Sequence, residues 1–119
     1  MTRAMHPARR AGLSEARLEQ QLLDLARIRG WKAHHVRDSR HVLMGDTGAP
    51  DWWLARHGRL VVVELKREDG KLSPDQAAFL AELGWENEQQ QWAQELSATR
   101  LTVWVIRPSS FDRFMAVLE

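Results

Sequence analysis

Three of the seven charged residues in GAPDWWLARHGRLVVVELKRE, residues 48–68, lie where a buried sheet should exclude charge. Asp51 follows a Gly-Ala-Pro turn, Glu64 ends a run of leucine and valine residues, and Lys66 comes two positions later. A carboxylate in such an environment is costly unless a cation or a set of hydrogen bonds compensates for it. Some group must therefore neutralise the two acids, and a divalent metal ion is one candidate.

The residues between the two acids predict a β-hairpin, with strands at about 51–56 and 60–66 and a turn at His57-Gly58. A loop of two or four residues places Asp51 opposite Glu64, with Cβ atoms about 5 Å apart. A loop of three residues would place the acids on opposite faces of the sheet. Lys66 lies two residues beyond Glu64 and projects from the same face. The pairing of the acids thus depends on an even loop.

An opposed pair of carboxylates suits an oxygen-ligated metal ion. Mg²⁺ is usually held by one or two carboxylates together with waters and substrate phosphates, so Asp51 and Glu64 supply a minimal set, and the backbone carbonyl of Leu65 is a candidate third ligand. Lys66 beside the metal could hold a phosphate oxygen or orient an attacking water. The alternative is that Glu-x-Lys forms an ordinary solvated ion pair at a strand end.

The elements that must position these residues follow from periodicity and capping. A helix is predicted from Ser14 to about Arg29, with Ser14 as its cap and Gly30 at its exit, and its apolar stripe consists of Leu18, Leu22, Leu25 and Ala26. A second helix begins after Ser73 with Pro74 and Gln76 in a capping box. Strands are predicted at WKAHHVR and RLTVWVIR, and PSSFDRFMAVLE predicts a short closing helix capped at Ser109 or Ser110. The stretch Trp85–Thr99 extends the second helix or forms another one.

The order helix, strand, hairpin, helix, strand, helix predicts an α/β or α+β fold, with a mixed sheet and helices packed on it. A chain of 119 residues is the size of one domain. The absence of cysteine excludes disulfides, thiolate metal sites and a cysteine nucleophile. No apolar run is long enough to span a membrane, and the basic N-terminus lacks the apolar stretch of a signal peptide, so we expect a cytoplasmic protein without a membrane partner.

The spacing of Pro50-Asp51, twelve residues, then Glu64-Leu65-Lys66 resembles the PD-(D/E)-x-K nuclease signature. The wider run over residues 48–76 resembles the VRR-NUC (virus-type replication-repair nuclease) family, which has a Gly-x-Pro-Asp start, a Glu-x-Lys strand end, a glycine-containing loop and a Ser-x-x-Gln helix start. The resemblance spans about residues 14–107 and is specific in its middle; Trp85–Thr99 matches no known pattern. It implies a restriction-endonuclease-like core, a mixed central sheet flanked by helices, in one domain at 14–119. Residues 1–13, which contain Arg3, Arg9 and Arg10, are expected to form a flexible basic arm before this domain.

The resemblance also implies an activity, which is Mg²⁺- or Mn²⁺-dependent hydrolysis of phosphodiester bonds in DNA. Short members of the family look like structure-selective endonucleases, encoded by bacteria or phages, that act as homodimers on branched DNA such as Holliday junctions in replication, repair and recombination. Glu19 is then the candidate for the family's helix glutamate, as a ligand of a second metal or of a metal-bound water, and Gln76 would position a water or Lys66. The alternative is that neither residue has a role in the site: Glu19 would then be a solvated residue on the flank of its helix, and Gln76 would only cap its helix.

The remaining charged and aromatic residues suggest contacts with DNA, with the core or with a second copy of the chain. The predicted contacts to DNA phosphates, with ordinary solvated charge as the alternative, are Arg3, Arg9, Arg10, Arg37, Arg40 and Lys71. His34 and His35 are adjacent on a strand and point to opposite faces, so they cannot form one metal site. Trp52, Trp53 and Trp104 are expected in the core or a dimer interface, whereas Trp85 or Trp92 could stack on bases. The dimer interface is predicted to use Trp85–Thr99 or the terminal helix, with Phe111, Phe114 and Leu118.

Two other classes of function stay open at this point. One is a nuclease of a neighbouring kind, such as a restriction-type subunit or a Holliday-junction resolvase with the same core. The other is a non-cleaving DNA-binding or scaffold protein with a nuclease-like fold. Metal-dependent cleavage separates the second class from the nucleases, because a pure binding protein shows none.

Overall fold

A computed structural model describes residues 12–36, 44–93 and 100–119 of the chain. Most of the predicted basic arm lies outside these residues. So do five of the six predicted DNA contacts, which are Arg3, Arg9, Arg10, Arg37 and Arg40.

The first helix, α1, spans Glu15–Ile28, and the Ser14 hydroxyl caps it by accepting a hydrogen bond from the Arg17 amide at 3.2 Å. Its predicted apolar stripe of Leu18, Leu22, Leu25 and Ala26 is buried, as the spacing of those residues indicates. The helix ends before Gly30, whose φ of +77° is the left-handed conformation that glycine adopts readily. The prediction of this helix is confirmed.

Four strands form one sheet in the order β1-β2-β3-β4: Lys32–His35, Trp52–Arg56, Arg59–Leu65 and Leu101–Ile106. The first two pairings are antiparallel, and β3 pairs with β4 in parallel. A parallel neighbour requires a crossover, which here carries helices α2 (Pro74–Glu82) and α3 (Glu88–Ala93). The fold is therefore mixed α/β, with a four-stranded mixed sheet flanked by helices, and this part of the predicted fold class is confirmed.

The hairpin has the even loop on which the pairing of the acids depends. His57 and Gly58 have φ values of +49° and +79°, as a two-residue turn of the primed type requires, and Arg56 pairs with Arg59. Trp52 pairs with Val63, so the next pair outward along the ladder is Asp51 and Glu64. The predicted register is confirmed.

Each face of the sheet is covered by a separate apolar cluster. One face packs against α1 and the C-terminal segment through Trp52, Leu54, Val61, Val63 and Trp104. The opposite face carries Val62, Val103 and Val105 and packs against Leu80 of α2. Since side chains alternate along a strand, Glu64 projects with Val62 towards α2. The predicted core positions of Trp52 and Trp104 are confirmed, while Trp53 is half-buried.

The closing segment differs in part from the predicted helix. It consists of a 3₁₀ turn at Pro108–Ser110, the short helix α4 at Phe111–Phe114 and a second 3₁₀ turn at Met115–Leu118. Ser110 does not cap α4 through its side chain, because its hydroxyl accepts from the Arg107 amide at 3.0 Å instead. The predicted serine cap at Ser110 is therefore wrong.

The apolar side chains of this segment belong to the core of the single chain. Phe111, Phe114 and Leu118 are 3%, 0% and 0% exposed. The prediction that these three side chains contribute to a dimer interface is wrong. Side chains that are buried inside the monomer cannot contact a second copy of the chain. Among the described residues, no helix is both long and apolar enough to cross a membrane.

Candidate functional site

The two acids meet where β2 begins and β3 ends. The Asp51 carboxylate accepts a hydrogen bond from the backbone amide of Leu65 at 2.8 Å, and the Asp51 carbonyl accepts one from the Val36 amide at 2.8 Å. Asp51 is thus tied to the end of β3 on one side and to the residue after β1 on the other. The tertiary structure brings Asp51 and Glu64 together across the ladder, as the hairpin register predicts.

The Leu65 carbonyl faces the same site. In an extended residue the N–H and C=O groups point towards the same neighbouring strand. The Leu65 amide points to Asp51, whereas the next amide, that of Lys66, donates to the Ile106 carbonyl of β4 at 2.9 Å. The Leu65 carbonyl is therefore directed to the side of Asp51, which is compatible with its predicted role as a candidate third ligand.

Glu64 is almost completely buried, with 2% of its surface exposed. Its Oε1 atom accepts a hydrogen bond from the Gln76 side-chain amide at 2.9 Å, but its Oε2 atom is buried and has no hydrogen-bond partner within the described part of the chain. A buried carboxylate oxygen without a partner is unfavourable in the protein alone. A bound cation would supply the partner that this oxygen lacks, so the site fits a cation.

The raised pKa values of both acids also fit a site for a cation. Burial, followed by the negative charge of Asp51, raises the pKa of Glu64 to about 8, and the Lys66 ammonium opposes the increase. Burial also raises the pKa of Asp51, and the Leu65 amide opposes this. Both carboxyl groups therefore hold protons more strongly than free acids do, as expected where two carboxylates share a site without a sufficient counter-charge.

Gln76 is held in position by the capping box of α2. Its Oε1 atom accepts from the Ser73 amide at 2.9 Å, and the Ser73 hydroxyl accepts from the Gln76 amide at 3.1 Å. Because this reciprocal pair fixes the amide group, its Nε2 atom is directed at Glu64. The capping role and a role in the site are thus combined in one residue, and the contact of Gln76 is with Glu64 and not with Lys66.

Loop 46–50 approaches α2 closely enough to define the position of Asp51. Gly48 has a φ of +92°, and a Cβ atom added there would lie 2.5 Å from the carbonyl carbon of Asp75. The Thr47 hydroxyl donates to the Asp75 carboxylate at 2.6 Å. The glycine of the Gly-Ala-Pro turn is therefore needed for both its conformation and its lack of a side chain.

Glu19 is drawn towards β1 and β2. Its carboxylate accepts from the Trp52 indole at 3.0 Å and lies 3.2 Å from His35 Nε2, and the His35 ring stacks on Trp52 at 4.7 Å. Its charge raises the pKa of Asp51, but the charge of Glu15 does so more strongly. Sequence reasoning missed Glu15, although it lies four residues before Glu19 and hence on the same helix face.

A second residue that sequence reasoning missed is Arg107, which follows β4. Its guanidinium donates to the carbonyls of Arg67 and Gly70 at 2.8 and 2.6 Å, and it pairs with Glu88 at 2.7 Å. These bonds hold the loop that directly follows Lys66. No local sequence signal indicates this role, because Arg107 is 40 and 37 positions away from Arg67 and Gly70.

The other predicted residues have simpler surroundings. Lys71 is exposed in the loop that leads to Ser73. His34 is exposed on β1, and His57 is the turn residue that the sequence predicts. Trp85 is half-buried and donates to Gln91 at 2.8 Å, whereas Trp92 is 48% exposed and lies under the Arg113 guanidinium.

The donor set restricts the kind of metal that the site fits. It consists of carboxylate and carbonyl oxygens, which suit Mg²⁺ and Mn²⁺. Across residues 12–36, 44–93 and 100–119, no group of three or more His, Cys, Asp or Glu side chains converges as a ready-made metal site. Two carboxylates are nevertheless enough for Mg²⁺, which usually keeps several of its waters. The predicted ligands Asp51, Glu64 and Leu65 therefore fit the ion, while Glu19 already has two protein partners.

Comparisons of the chain with protein-family models, with curated proteins and with solved structures gave no match.

Proposed function

We propose that this protein is a Mg²⁺- or Mn²⁺-dependent deoxyribonuclease of the VRR-NUC type, built on a restriction-endonuclease-like core. The observation that carries the proposal is the buried pair of Asp51 and Glu64, with the Glu64 Oε2 atom lacking a partner and with Lys66 alongside. The element order supports it, since a helix, an antiparallel hairpin, a helical crossover and a parallel strand together present this pair at one end of the sheet.

Asp51, Glu64 and the Leu65 carbonyl would hold the metal ion. When bound, the ion supplies positive charge at the scissile phosphate and lowers the pKa of water for attack. The two acids must both be ionised for this role, so the ion competes with protons for them, above all at Glu64, whose pKa is raised to about 8. Gln76 occupies the Oε1 atom of Glu64 and thereby leaves Oε2 for the ion.

Lys66 supplies the charge that the phosphate requires during the reaction. Its ammonium is near enough to both carboxylates to oppose the increase in their pKa values. Negative charge grows on the phosphate oxygens as the transition state forms, and a fixed ammonium stabilises that state more than the ground state. The loop held by Arg107 keeps the residues after Lys66 in place.

The experiment is a cleavage assay on single-stranded, duplex, flap and four-way-junction DNA with Mg²⁺, Mn²⁺ or EDTA. We expect metal-dependent cleavage, with branched DNA cut best, and complete loss of cleavage in Asp51→Ala and Glu64→Ala. DNA binding by both variants should persist or become tighter, because each variant removes a group that can carry negative charge. Cleavage that continues undiminished in excess EDTA would refute the metal mechanism, and DNA binding without cleavage by the wild type would identify a non-cleaving DNA-binding protein.

A further inference from the structure

Positive charge is concentrated at the end of the sheet opposite the two acids. There the hairpin turns at His57-Gly58, α1 ends and β4 begins. Lys32 pairs with Ala55 beside the turn, Arg56 donates to the carbonyl of Arg29 at 2.8 Å, and the Leu60 amide donates to the carbonyl of Arg100 at 2.7 Å. We call this end the basic pole and define it by five residues: Arg29, Lys32, Arg56, Arg59 and Arg100.

The charge of the basic pole is only partly neutralised. None of its five residues forms an ion pair with a carboxylate side chain among the described residues. The guanidiniums of Arg29, Arg56 and Arg59 donate instead to backbone oxygens of the C-terminal segment, at Met115, Glu119 and Val117 respectively.

Two of these arginines are held firmly in place. The guanidiniums of Arg56 and Arg59 lie over the Trp31 ring, 4.7 and 5.3 Å from its centroid. The Nε atoms of both arginines are buried and have no hydrogen-bond partner in the described part of the chain. They border an open groove of about 500 Å³, which is also lined by Lys32 and His57. The groove therefore presents a prearranged set of cations to an anionic ligand, which reduces the entropy lost on binding.

The distance between the two ends of the sheet determines how long a ligand must be to reach both. Asp51 and Arg56 are five residues apart along β2, which corresponds to about 17 Å at about 3.3 Å per residue. In B-form DNA the phosphates of one strand advance about 3.4 Å per base pair along the axis, so this distance covers about five base pairs. Edge strand β1, whose four residues are exposed, runs between the two ends. A mononucleotide is too short to reach from one end to the other, whereas a DNA arm is long enough.

We propose that the basic pole binds the sugar-phosphate backbone of a DNA arm at about five base pairs from the phosphodiester held by Asp51 and Glu64. This inference rests on the proposed nuclease function. There is a physical reason to bind DNA away from the acids: without a metal ion the two carboxyl groups do not attract phosphates, so attraction must come from another surface. A DNA arm held at the basic pole is also directed towards the acids before the metal-dependent step.

The test compares variants in which exposed cations are neutralised. Lys32→Gln, Arg100→Gln and the double variant remove charge from the pole without disturbing the arginines that pack on Trp31. Arg113→Gln is the matched control, since Arg113 is exposed but lies over Trp92, outside the pole. Each variant is first checked for wild-type thermal unfolding. Binding to a labelled duplex that spans both ends is then measured in EDTA over a range of salt concentrations, so that cleavage plays no part.

We expect the plot of log affinity against log salt to become shallower by about 0.9 for each pole cation removed, and by about 1.8 in the double variant. Affinity at moderate salt should fall several-fold for each charge, or on the order of tenfold in the double variant. Arg113→Gln should keep the wild-type slope. A double variant with the wild-type slope and affinity would overturn the inference and leave an acidic protein as the alternative ligand of the pole.

A second measurement separates this inference from the proposed function. With Mn²⁺, cleavage of a duplex too short to reach the pole should be equal in the wild type and the double variant, while a longer duplex should show a raised KM and an unchanged kcat in the variant. Equal KM values on the longer duplex would overturn the role of the pole while leaving the nuclease intact. A wild type that cuts neither duplex would refute the proposed function, and the salt dependence in EDTA would still decide whether the pole binds DNA.

Discussion

At the scale of the residue, Glu64 combines features that rarely occur together in a structural side chain. It is buried, it receives a hydrogen bond on one oxygen from Gln76, and its other oxygen has no partner within the described residues. A simple ion pair with Lys66 would have left Glu64 with a lowered pKa, whereas burial and Asp51 raise it. Lys66 alone is therefore not enough to neutralise the pair, and this favours a metal site over the solvated ion pair that Glu-x-Lys often forms.

The raised pKa of Glu64 predicts how stability depends on pH without metal. Between its ordinary value of 4.5 and about 8, Glu64 is protonated in the folded chain and ionised in the unfolded one. The folded state then binds more protons, so the free energy of unfolding falls as pH rises through this range. The loss should reach a few kcal/mol, since one pKa unit corresponds to about 1.4 kcal/mol.

Thermal unfolding in EDTA between pH 5 and 8 measures this effect. Glu64→Gln keeps an acceptor for Gln76 but cannot ionise, so its melting temperature should fall much less over the same range. Adding Mg²⁺ at pH 8 should raise the melting temperature of the wild type and leave that of the variant almost unchanged. Parallel pH profiles for the two proteins would show that Glu64 ionises normally in the folded state.

Lys66 is predicted to act on the rate of the chemical step. Lys66→Ala should lower kcat by a factor on the order of 10² while metal binding persists, as is typical when a group that stabilises transition-state charge is removed. Lys66→Arg should restore activity only in part, because a planar guanidinium does not replace a compact ammonium. Lys71→Ala is the control and should change KM alone. Full activity in Lys66→Ala would reduce Lys66 to an ion-pair partner of the acids.

At the scale of the element, the start of α2 determines where the carboxylates of Asp51 and Glu64 are placed. Its capping box orients Gln76 towards Glu64, and its first turn is in close contact with Gly48, three residues before Asp51. The loop, the hairpin and the helix therefore have to fit one another before the pair of acids is correctly placed.

Gly48→Ala tests this fit, with Gly45→Ala as a matched control. The two glycines have φ values of +92° and +91°, but an added Cβ atom meets the Asp75 backbone at 2.5 Å in the first case and nothing within 4 Å in the second. Both variants should lose about 1–2 kcal/mol of stability from the left-handed conformation. Gly48→Ala should lose more and should also cleave DNA more slowly. Equal stability and activity in the two variants, from calorimetry and the cleavage assay, would show that the close approach of Gly48 to Asp75 has no effect on the site.

At the scale of the whole molecule, the described part of one chain presents one such pair of acids, and under the proposed function one such site would cut one strand. Paired cuts in a four-way junction require two sites related by a two-fold axis, so we predict a homodimer. Phe111, Phe114 and Leu118 are buried in the monomer core, so Trp85–Thr99 stays the predicted interface. Residues 94–99 of this range lie outside the described residues. Trp92 is 48% exposed, and large aromatic residues are enriched in interfaces.

Light scattering at micromolar concentration should give twice the chain mass of 13.8 kDa. Trp92→Ala should shift the mass towards the monomer, and Ile28→Ala, which alters another exposed apolar residue, should not. A monomeric mass together with paired cutting of four-way junctions would mean that two molecules meet on the DNA.

Much of the architecture could be predicted from the sequence because its determinants are local. Ser14, Ser73 and Gln76 define helix starts through bonds to residues within three positions, and His57-Gly58 defines the turn and hence the register that opposes the two acids. Glu64 and Asp51 could be paired from this register alone. The serine cap of the closing helix failed because the Ser110 hydroxyl bonds back to Arg107, a competing local bond that composition does not reveal.

The tertiary structure alone decided which groups converge from distant parts of the chain. It placed Gln76 on Glu64, turned Glu19 towards Trp52 and His35, and brought Glu15 within electrostatic range of Asp51. It also gathered the basic pole from α1, β1, the hairpin and β4, although the chain as a whole has a net charge of only +1. The physical reason is that backbone bonds and side-chain periodicity act over a few residues, whereas burial and charge depend on the neighbours that packing provides.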